Sequence, residues 1–552
     1  MSGSFAGLGI AMSGLFANQR ALSVTSHNVA NANTEGYSRQ RIDMTAYRAD
    51  ILPGGKGTLG TGVDVEAVKQ IRDEFLDYQY RGEYSKFSEY DARYEVIRNI
   101  EGIMNEPTDS GLRQLMDDFF SSIQELNKNP ESLSVRTLVR ERAIALTGGI
   151  GNMSASMKDL QQDMNFEFQV GVNNLNNYAD QVAKLNEIIF ETELTGGTAN
   201  DVRDQRNLLL DKMSELADID YYEDNNQRFH VSIGGHEIVS HIRSDKLILT
   251  EREEKLNYDD VGGLVDIAWE DGTPFNAKSG KLVGILNVRD EIEGDDKGIP
   301  YYLDRLNEFM STLTSEVNRI HRAGYTLTGE TNIDFFTING MSTDEFETHL
   351  LTNGLDEGPP VDITAMIMDG VDMDDMNHED STEKIRENTQ LFFENNTQLQ
   401  GKTVRLIDDR YYVVDKLRAD QITISKDLED VNNIAASETE EGLPGDGNNI
   451  LNIANVRHDV ALFDWGSPDD FVKSLVSNLG VDGQATRSLV TNTELLLKNV
   501  STSRESVMGV SLDEEMANMV KYQHAYSASA RMINAVDEML DLVVNRLGLV
   551  GR

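Results

Sequence analysis

The chain has 552 residues, with 94 acidic against 50 basic side chains, a formal charge of −44 at neutral pH, and no cysteine. Such a charge repels nucleic-acid phosphates and anionic lipid head groups, so neither is expected as a partner. The missing cysteines exclude disulfides, thiolate metal sites and cysteine nucleophiles, and the length calls for about three or four units of roughly 150 residues.

The first twenty residues hold no basic leader or compact apolar run, so no cleaved signal is read. Nowhere do about eighteen consecutive apolar residues occur, so no membrane insertion is expected. Instead Phe5, Leu8, Met12, Leu15, Gln19, Leu22, Ser26 and Val29 alternate in steps of three and four, the spacing of a coiled-coil seam. This helix is expected to stop at Asn31, Asn33, Thr34 and Gly36, where side chains bond their own backbone and glycine tolerates positive φ. Val63, Val65 and Ala67 then alternate with acidic residues like a short strand. From about Phe75 helical spacing returns, with Phe87, Tyr90, Tyr94, Ile97 and Met104 on one stripe until Pro107. The next helix carries Leu112, Leu115, Phe119, Ile123 and Leu126 and is closed by Asn129-Pro130. Another runs from about Ser132 toward Glu193 through Leu146, Ile150, Met153, Met157, Leu160 and Met164, weakened by Gly148, Gly149 and Gly151. Long helices with narrow stripes predict a rod-shaped bundle.

Near Ile219 the pattern changes. Phe229, Val231 and Ile233 alternate with polar residues before Gly234-Gly235, and Val265, Ile267 and Trp269 alternate before Asp271-Gly272, which reads as a β-rich unit. A further heptad, Leu303, Leu306, Met310, Leu313, Val317 and Ile320, interrupts it. Between Met341 and Gln400 there are fifteen acidic residues and two basic ones, the profile of a solvated insertion. Strand-like Val404, Leu406, Tyr411 and Val413 follow, and 442–447 reads as a linker. Near the C-terminus Leu512, Met516, Met519, Gln523, Tyr526, Ala530, Ile533, Asp537, Leu540, Val544 and Leu547 repeat the alternation of the N-terminus, so the two ends are expected to pair.

The predicted class is therefore α+β and multidomain, with long terminal helices pairing as a coiled coil, a helical bundle, and a β-rich middle with an acidic insertion. The corresponding segments are 1–40 with 508–552 for the terminal pair, 41–217 with 445–507 for the helical unit, 218–340 with 401–444 for the β-rich unit, and 341–400 for the insertion.

Motifs for chemistry are weak. Gly55 to Gly60 matches a G-x-G-x-x-G string, but an extended segment follows it where a dinucleotide site needs a helix N-terminus. His236 and His241 flank a glutamate yet stand five apart instead of four, in a strand pattern, so a surface hairpin is the preferred reading over a zinc site. Asp372, Asp374, Asp375, Glu379 and Asp380 lack the glycine and third ligand of a calcium loop and read as a solvated acidic face. No Ser/His/Asp arrangement stands out. No catalytic residue, metal or cofactor is expected, and an enzyme is not.

The run Asn28-Val29-Ala30-Asn31-Ala32-Asn33-Thr34-Glu35-Gly36-Tyr37-Ser38-Arg39 resembles the N-terminal signature of the bacterial flagellar rod, hook and hook-associated axial proteins. Tyr522 to Arg531, with Asp537-Glu538-Met539-Leu540 beyond, is similar to their C-terminal signature. Ser511-Leu512-Asp513-Glu514-Glu515, Asn200-Asp201 with Asp204-Gln205-Arg206, and Val317 to His321 before Phe335-Phe336 resemble the member that joins hook to filament. Glu35 stands where relatives often have proline.

The resemblance implies a structural subunit, exported by the flagellar type III apparatus to the extracellular flagellum, that assembles through Phe5, Leu8, Met12, Leu15, Leu22, Val29, Leu512, Met516, Met519, Tyr526, Ile533, Leu540, Val544 and Leu547. It implies as neighbours copies of itself, the hook protein and hook-associated protein 3, with an export chaperone at the C-terminal segment. A hook or distal-rod type remains the alternative, and an axial protein with an enzymatic insert a more distant one.

Overall fold

Apolar residues that recur at helical spacing from Leu146 to Met164 lie on a single helix of 62 residues. At 1.5 Å per residue it is about 93 Å long, and the two hydrophobic cores lie one after the other along it. The computed structural model describes residues 3–51, 57–104, 111–292, 297–353, 361–368, 384, 388–389, 402–407, 410–415 and 417–542. In chain order these include α1 (Gly3–Ala30), β1 (Gln40–Ala46), β2 (Val63–Gln70), α2 (Glu74–Met104), α3 (Leu112–Lys128), α4 (Leu133–Leu194) and α5 (Asn200–Leu216). Next come β3 (Asp220–Glu223), β4 (Phe229–Ile233), β5 (His236–Ser240), β6 (Arg243–Ser244), β7 (Leu247–Glu251), β8 (Val265–Trp269), α6 (Lys281–Asp290) and α7 (Ile299–Ala323). The remainder comprises β9 (Phe336–Ile338), α8 (Thr343–Asn353), β10 (Val361–Asp362), β11 (Lys402–Ile407), β12 (Arg410–Asp415), β13 (Ile422–Ile424), α9 (Asn448–Val456), α10 (Pro468–Met508) and α11 (Leu512–Asp541).

The first core joins α3, α7, α9 and the adjoining ends of α2, α4 and α10. Leu112, Phe119, Ile123 and Leu126 of α3 are all fully buried in it, as are Leu306, Met310, Leu313 and Val317 of α7. Phe309 stacks with Phe463 and Phe471, at 5.8 and 5.7 Å between ring centres. On α2 the buried line runs through Ser85, Ser88, Ala92, Val96, Ile100 and Met104, so the predicted Phe87, Tyr90 and Tyr94 flank it half-buried. The glycines of α4 do not interrupt it: a Cβ at Gly149 would overlap Leu115, so the glycine lets α3 pack closely against α4.

The second core joins the far half of α4 with α5, α6 and the small sheets. Strands β3 to β6 form an antiparallel sheet in chain order, with Phe229, Val231 and Ile233 facing inward, and β7 pairs with β8. A polar layer separates the two cores along α4. Gln161 Nε2 donates to Asp260 at 2.8 Å and to the Arg289 carbonyl at 2.9 Å, while fully buried Arg289 donates to Asn165 at 2.8 Å.

The segment read as β-rich is organised as much by α6 and α7 as by its short strands, and both cores draw on it together with α4. The acidic stretch begins inside the fold: α8 places Phe346 and Leu350 in the first core, and Arg322 holds Glu347 at 2.7 Å. Phe346 and Leu350 are one helical turn apart and bury a narrow stripe, beside which Asp344 and Glu345 of α8 are exposed.

Phe309→Ala removes a ring from the stacked cluster and should destabilise the first core by about 3–5 kcal/mol, read as a lowered denaturant midpoint by circular dichroism.

Candidate assembly surface

Between Gly3 and Ala30 the one side chain with a permanent charge is Arg20, so α1 offers little charge to water on any side. Helix α11 lies antiparallel on it. A Cβ at Gly7 would stand 3.8 Å from Val536 Cγ2, and one at Gly14 would stand 3.1 Å from Ser529 Oγ. Asn28 Nδ2 donates to Glu515 Oε2 at 3.1 Å. These residues step up α1 by about two and then about four turns while their partners step down α11 equally, which sets the register.

The line of contact on α1 is built from small and polar residues: Gly7, Ala11, Gly14, Ala21, Thr25 and Asn28. It has the predicted heptad spacing, displaced by one residue. Leu8, Leu15, Leu22 and Val29 stand half-buried beside it and Met12 is exposed, while the side chain of Phe5 lies outside the described residues. On α11, Met519, Tyr526, Ile533 and Leu540 are half-buried, Leu512 and Met516 are exposed, and Val544 and Leu547 lie outside the described residues. The physical reason is distance: helix axes approach more closely over glycine and alanine than over leucine and methionine. Large apolar residues are left on the outside, among them Ile10, Met12 and Phe16 of α1 and Leu512, Met516, Val520, Met532 and Met539 of α11.

Below this pair the chain turns. The Asn31 N–H and its side chain both donate to the His27 carbonyl, Thr34 donates to Asn31 Oδ1, and Gly36 adopts φ +76° close against Leu208. Asn33 and Thr34 are exposed. Buried Asn28 fills all four of its hydrogen-bonding positions. Its Oδ1 accepts from Tyr37 at 2.7 Å and from the Gln40 N–H at 2.9 Å, and its Nδ2 donates to the Gln40 carbonyl and to Glu515. Burial, with Asp201, Asp204 and Glu515 nearby, raises the Tyr37 phenol above its ordinary range, so it stays a donor. Arg39 donates to Glu515 and Glu514, both at 2.7 Å, and its N–H bonds the Met508 carbonyl at 2.9 Å. Ser38 N–H donates to Asp204 at 3.0 Å and Gln40 to Asp201 at 2.7 Å. Thus the turn, the start of α5 and the start of α11 converge on one network.

An ionic cluster continues inward. Asp77 of α2 receives Arg72 and Arg504, and Asp211 of α5 receives Arg81 at 2.8 Å and Arg504 at 2.6 Å. Burial alone would raise the Asp77 carboxyl, but hydrogen bonds from Arg72 and the charges of Arg72, Arg504 and Arg81 hold it below the usual range. Asp204 and Glu515 stand in sequence motifs that do not reveal this role, and sequence reasoning misses Asp77, Asp211, Arg72, Arg81 and Arg504. The small residues at 7, 11, 14 and 21 were the available signal for the seam.

The remaining motifs have structural uses. His236 stacks on Trp269 at 4.0 Å, and His241, at φ 57°, packs edge-on against Phe190 at 5.1 Å. The string ending at Gly60 leads into β2, and Asp372 to Asp380 lie outside the described residues. Among the described residues no group of three or more histidines and carboxylates is placed to hold a metal.

Compared with known proteins, residues 97–336 match the family model described as the flagellar hook-associated protein FlgK helical domain. Flagellar hook-associated protein 1 of Bacillus subtilis is 31% identical across 100% of both chains. The chain belongs to the flagellar hook-associated protein 1 family. The Escherichia coli member of that name is 24% identical over 97% of this chain and 98% of its own. The solved flagellar hook junction protein FlgK from Burkholderia pseudomallei shares the fold, with a TM-score of 0.57 and 13% identity over 78% of this chain and 100% of that one. Residues 8–37 match the flagella basal body rod protein model, and 504–547 the flagellar basal body rod FlgEFG protein C-terminal model. The ends therefore match models described for basal body rod proteins, while the middle and the full-length match belong to the hook-associated protein 1 family.

Asn28→Ala strands the buried Gln40 amide and should cost about 1–3 kcal/mol locally. Hydrogen exchange should quicken in α1 and α11 while the unfolding of the two cores stays in place. Because the Asp77 carboxyl is depressed, its contribution is present above about pH 4 and fades as pH falls through the folded value. Asp77→Asn should thus be less stable than the unmodified chain at pH 7, with a gap that narrows toward pH 3 in denaturant titrations.

Proposed function

We infer that this chain works as a structural subunit of the extracellular flagellum, at the junction between hook and filament, and polymerises through α1 and α11. The observation that carries this is the use of small residues inside the helix pair, which leaves Met12, Phe16, Leu512, Met516 and Met539 outside. A pair that placed those residues inside would be finished on its own; this pair has apolar surface left for neighbours. Leu8, Leu15, Leu22, Val29, Met519, Tyr526, Ile533 and Leu540, half-buried in the single chain, border that surface; Phe5, Val544 and Leu547, assigned to the same interface, lie outside the described residues. Asn28, Asn31, Asn33, Thr34, Gly36, Tyr37 and Arg39 act as the turn that orients the pair.

The neighbours that suit this role are further copies, the hook protein on one side and hook-associated protein 3 on the other. Export through the type III apparatus, with a chaperone on the C-terminal segment, is the route of delivery that suits this role. No helix among the described residues is long and apolar enough to cross a membrane. The work assigned is mechanical and adhesive, and no catalytic step is assigned.

Deleting residues 1–30 or 510–552 should leave a chain whose two cores melt cooperatively but which fails to restore motility and is absent from sheared flagella. A deleted chain that still builds working flagella defeats this reading.

A further inference from the structure

Two legs join the acidic stretch to the first core. β9 leads toward it, and the chain comes back through β13 to residues 434–437, where Ile434, Ala435, Ala436 and Ser437 are all buried. Helix α7 grips both legs. Asn318 accepts from the Phe335 and Phe336 N–H groups at 2.9 and 2.8 Å and donates to the Phe336 carbonyl at 2.7 Å, and Arg322 donates to Asp334 at 2.6 and 2.7 Å. His321, fully buried, reaches both legs with one ring. Its Nδ1 stands 2.7 Å from the Ile333 carbonyl oxygen, and its Nε2 stands 2.8 Å from the Ala435 nitrogen. A carbonyl only accepts and a backbone N–H only donates, so Nδ1 carries the hydrogen and Nε2 is bare. The ring is therefore neutral.

The surroundings of this ring oppose a charge on it. Phe335 covers it edge-on at 5.3 Å between ring centres. The charged groups that face it are Arg136 of α4, Arg322 of α7 and Asp334 on the outgoing leg. Arg136, itself fully buried, donates to the carbonyls of Pro130, Val431 and Ile434, and Asp334 is already engaged by Arg322, which also holds Glu347. From α9 comes an uncharged group, Asn449, which donates to the Ala435 carbonyl at 2.8 Å. Burial pushes the His321 imidazole down to about 4, outweighing the Ile333 carbonyl and Asp334, which favour the charged ring.

We propose that His321 is an acid-sensitive latch on the returning leg: a proton on Nε2 sets two donors against each other, frees 434–437 from α7, and leaves the outgoing leg bound through Nδ1 and Asn318. A released ring takes up its proton near pH 6.5 and the latched ring only near pH 4. The latch is thus whole above pH 6.5 and weakens as pH falls toward 4. That window lies above the one in which Asp77 loses its ion pairs, so the ionic cluster outlasts the latch.

The test is amide hydrogen exchange on the full chain, corrected for the intrinsic effect of pH on exchange. Between pH 7 and pH 5 the protection of 434–437 should fall by about twentyfold, while 335–338 and residues 306–317 of α7 keep theirs. His321→Gln, whose amide can give and accept the same two hydrogen bonds without titrating, should remove the dependence. Equal protection of 434–437 at the two pH values overturns the proposal. So does an equal loss in α7, which marks general unfolding and is read on the unmodified chain. An acid response that persists in His321→Gln belongs to another group and overturns it as well.

Discussion

The close approach of α1 to α11 decides what the ends of the chain show to their surroundings. Glycine and alanine bring the two backbones together and use little apolar area in doing so. The larger side chains are therefore displaced to the flanks and the outside, where Phe16 is 53% and Met516 54% exposed. Fully burying one such side chain contributes about 1.5–3 kcal/mol, so the pair has more to gain from a neighbour than from itself.

That approach is held in one register by polar groups, which apolar packing alone does not do. Sliding α11 along α1 by a heptad would separate Asn28 from Glu515 and leave a buried carboxylate with fewer donors, a larger penalty than losing a methyl contact. Arg39 joins the same carboxylate to the turn, and Ser38 and Gln40 join the turn to Asp204 and Asp201 of α5. The cluster of Asp77, Asp211, Arg81 and Arg504 then ties α5 to α2 and α10. The direction in which the terminal pair leaves the body is thus set by hydrogen bonds and charges rather than by the length of a linker.

Where one helix face meets a broad core, the sequence was readable. The stripes of α3 and α7 are buried where periodicity put them, and Phe229, Val231 and Ile233 point inward on alternate positions of β4. Reading failed where large residues are not the ones inside. A heptad of leucines and methionines marks a sticky face without saying whether the partner belongs to the same chain, and the glycines one position earlier carry the answer only when distance is considered. Gly149 likewise looks like a weakness in α4 until Leu115 is seen to occupy the space. The ionic cluster was illegible for another reason: Asp77, Asp211 and Arg504 come from α2, α5 and α10, and no local pattern relates them.

The acidic excess has a counterpart in the fold. Residues near Gln161, Asn165 and Arg289 make a polar layer between the two cores, so α4 passes through both without a break and couples them as one rod. Acidic residues on the surface of that rod keep separate chains apart in solution, while the terminal segments, nearly neutral, lack that protection. Charge on the body and its near absence on the ends therefore act together: encounters between bodies are discouraged, and encounters between ends are left to apolar contact. A chain with the same total charge spread evenly over its ends would carry electrostatic repulsion on the surfaces proposed to meet.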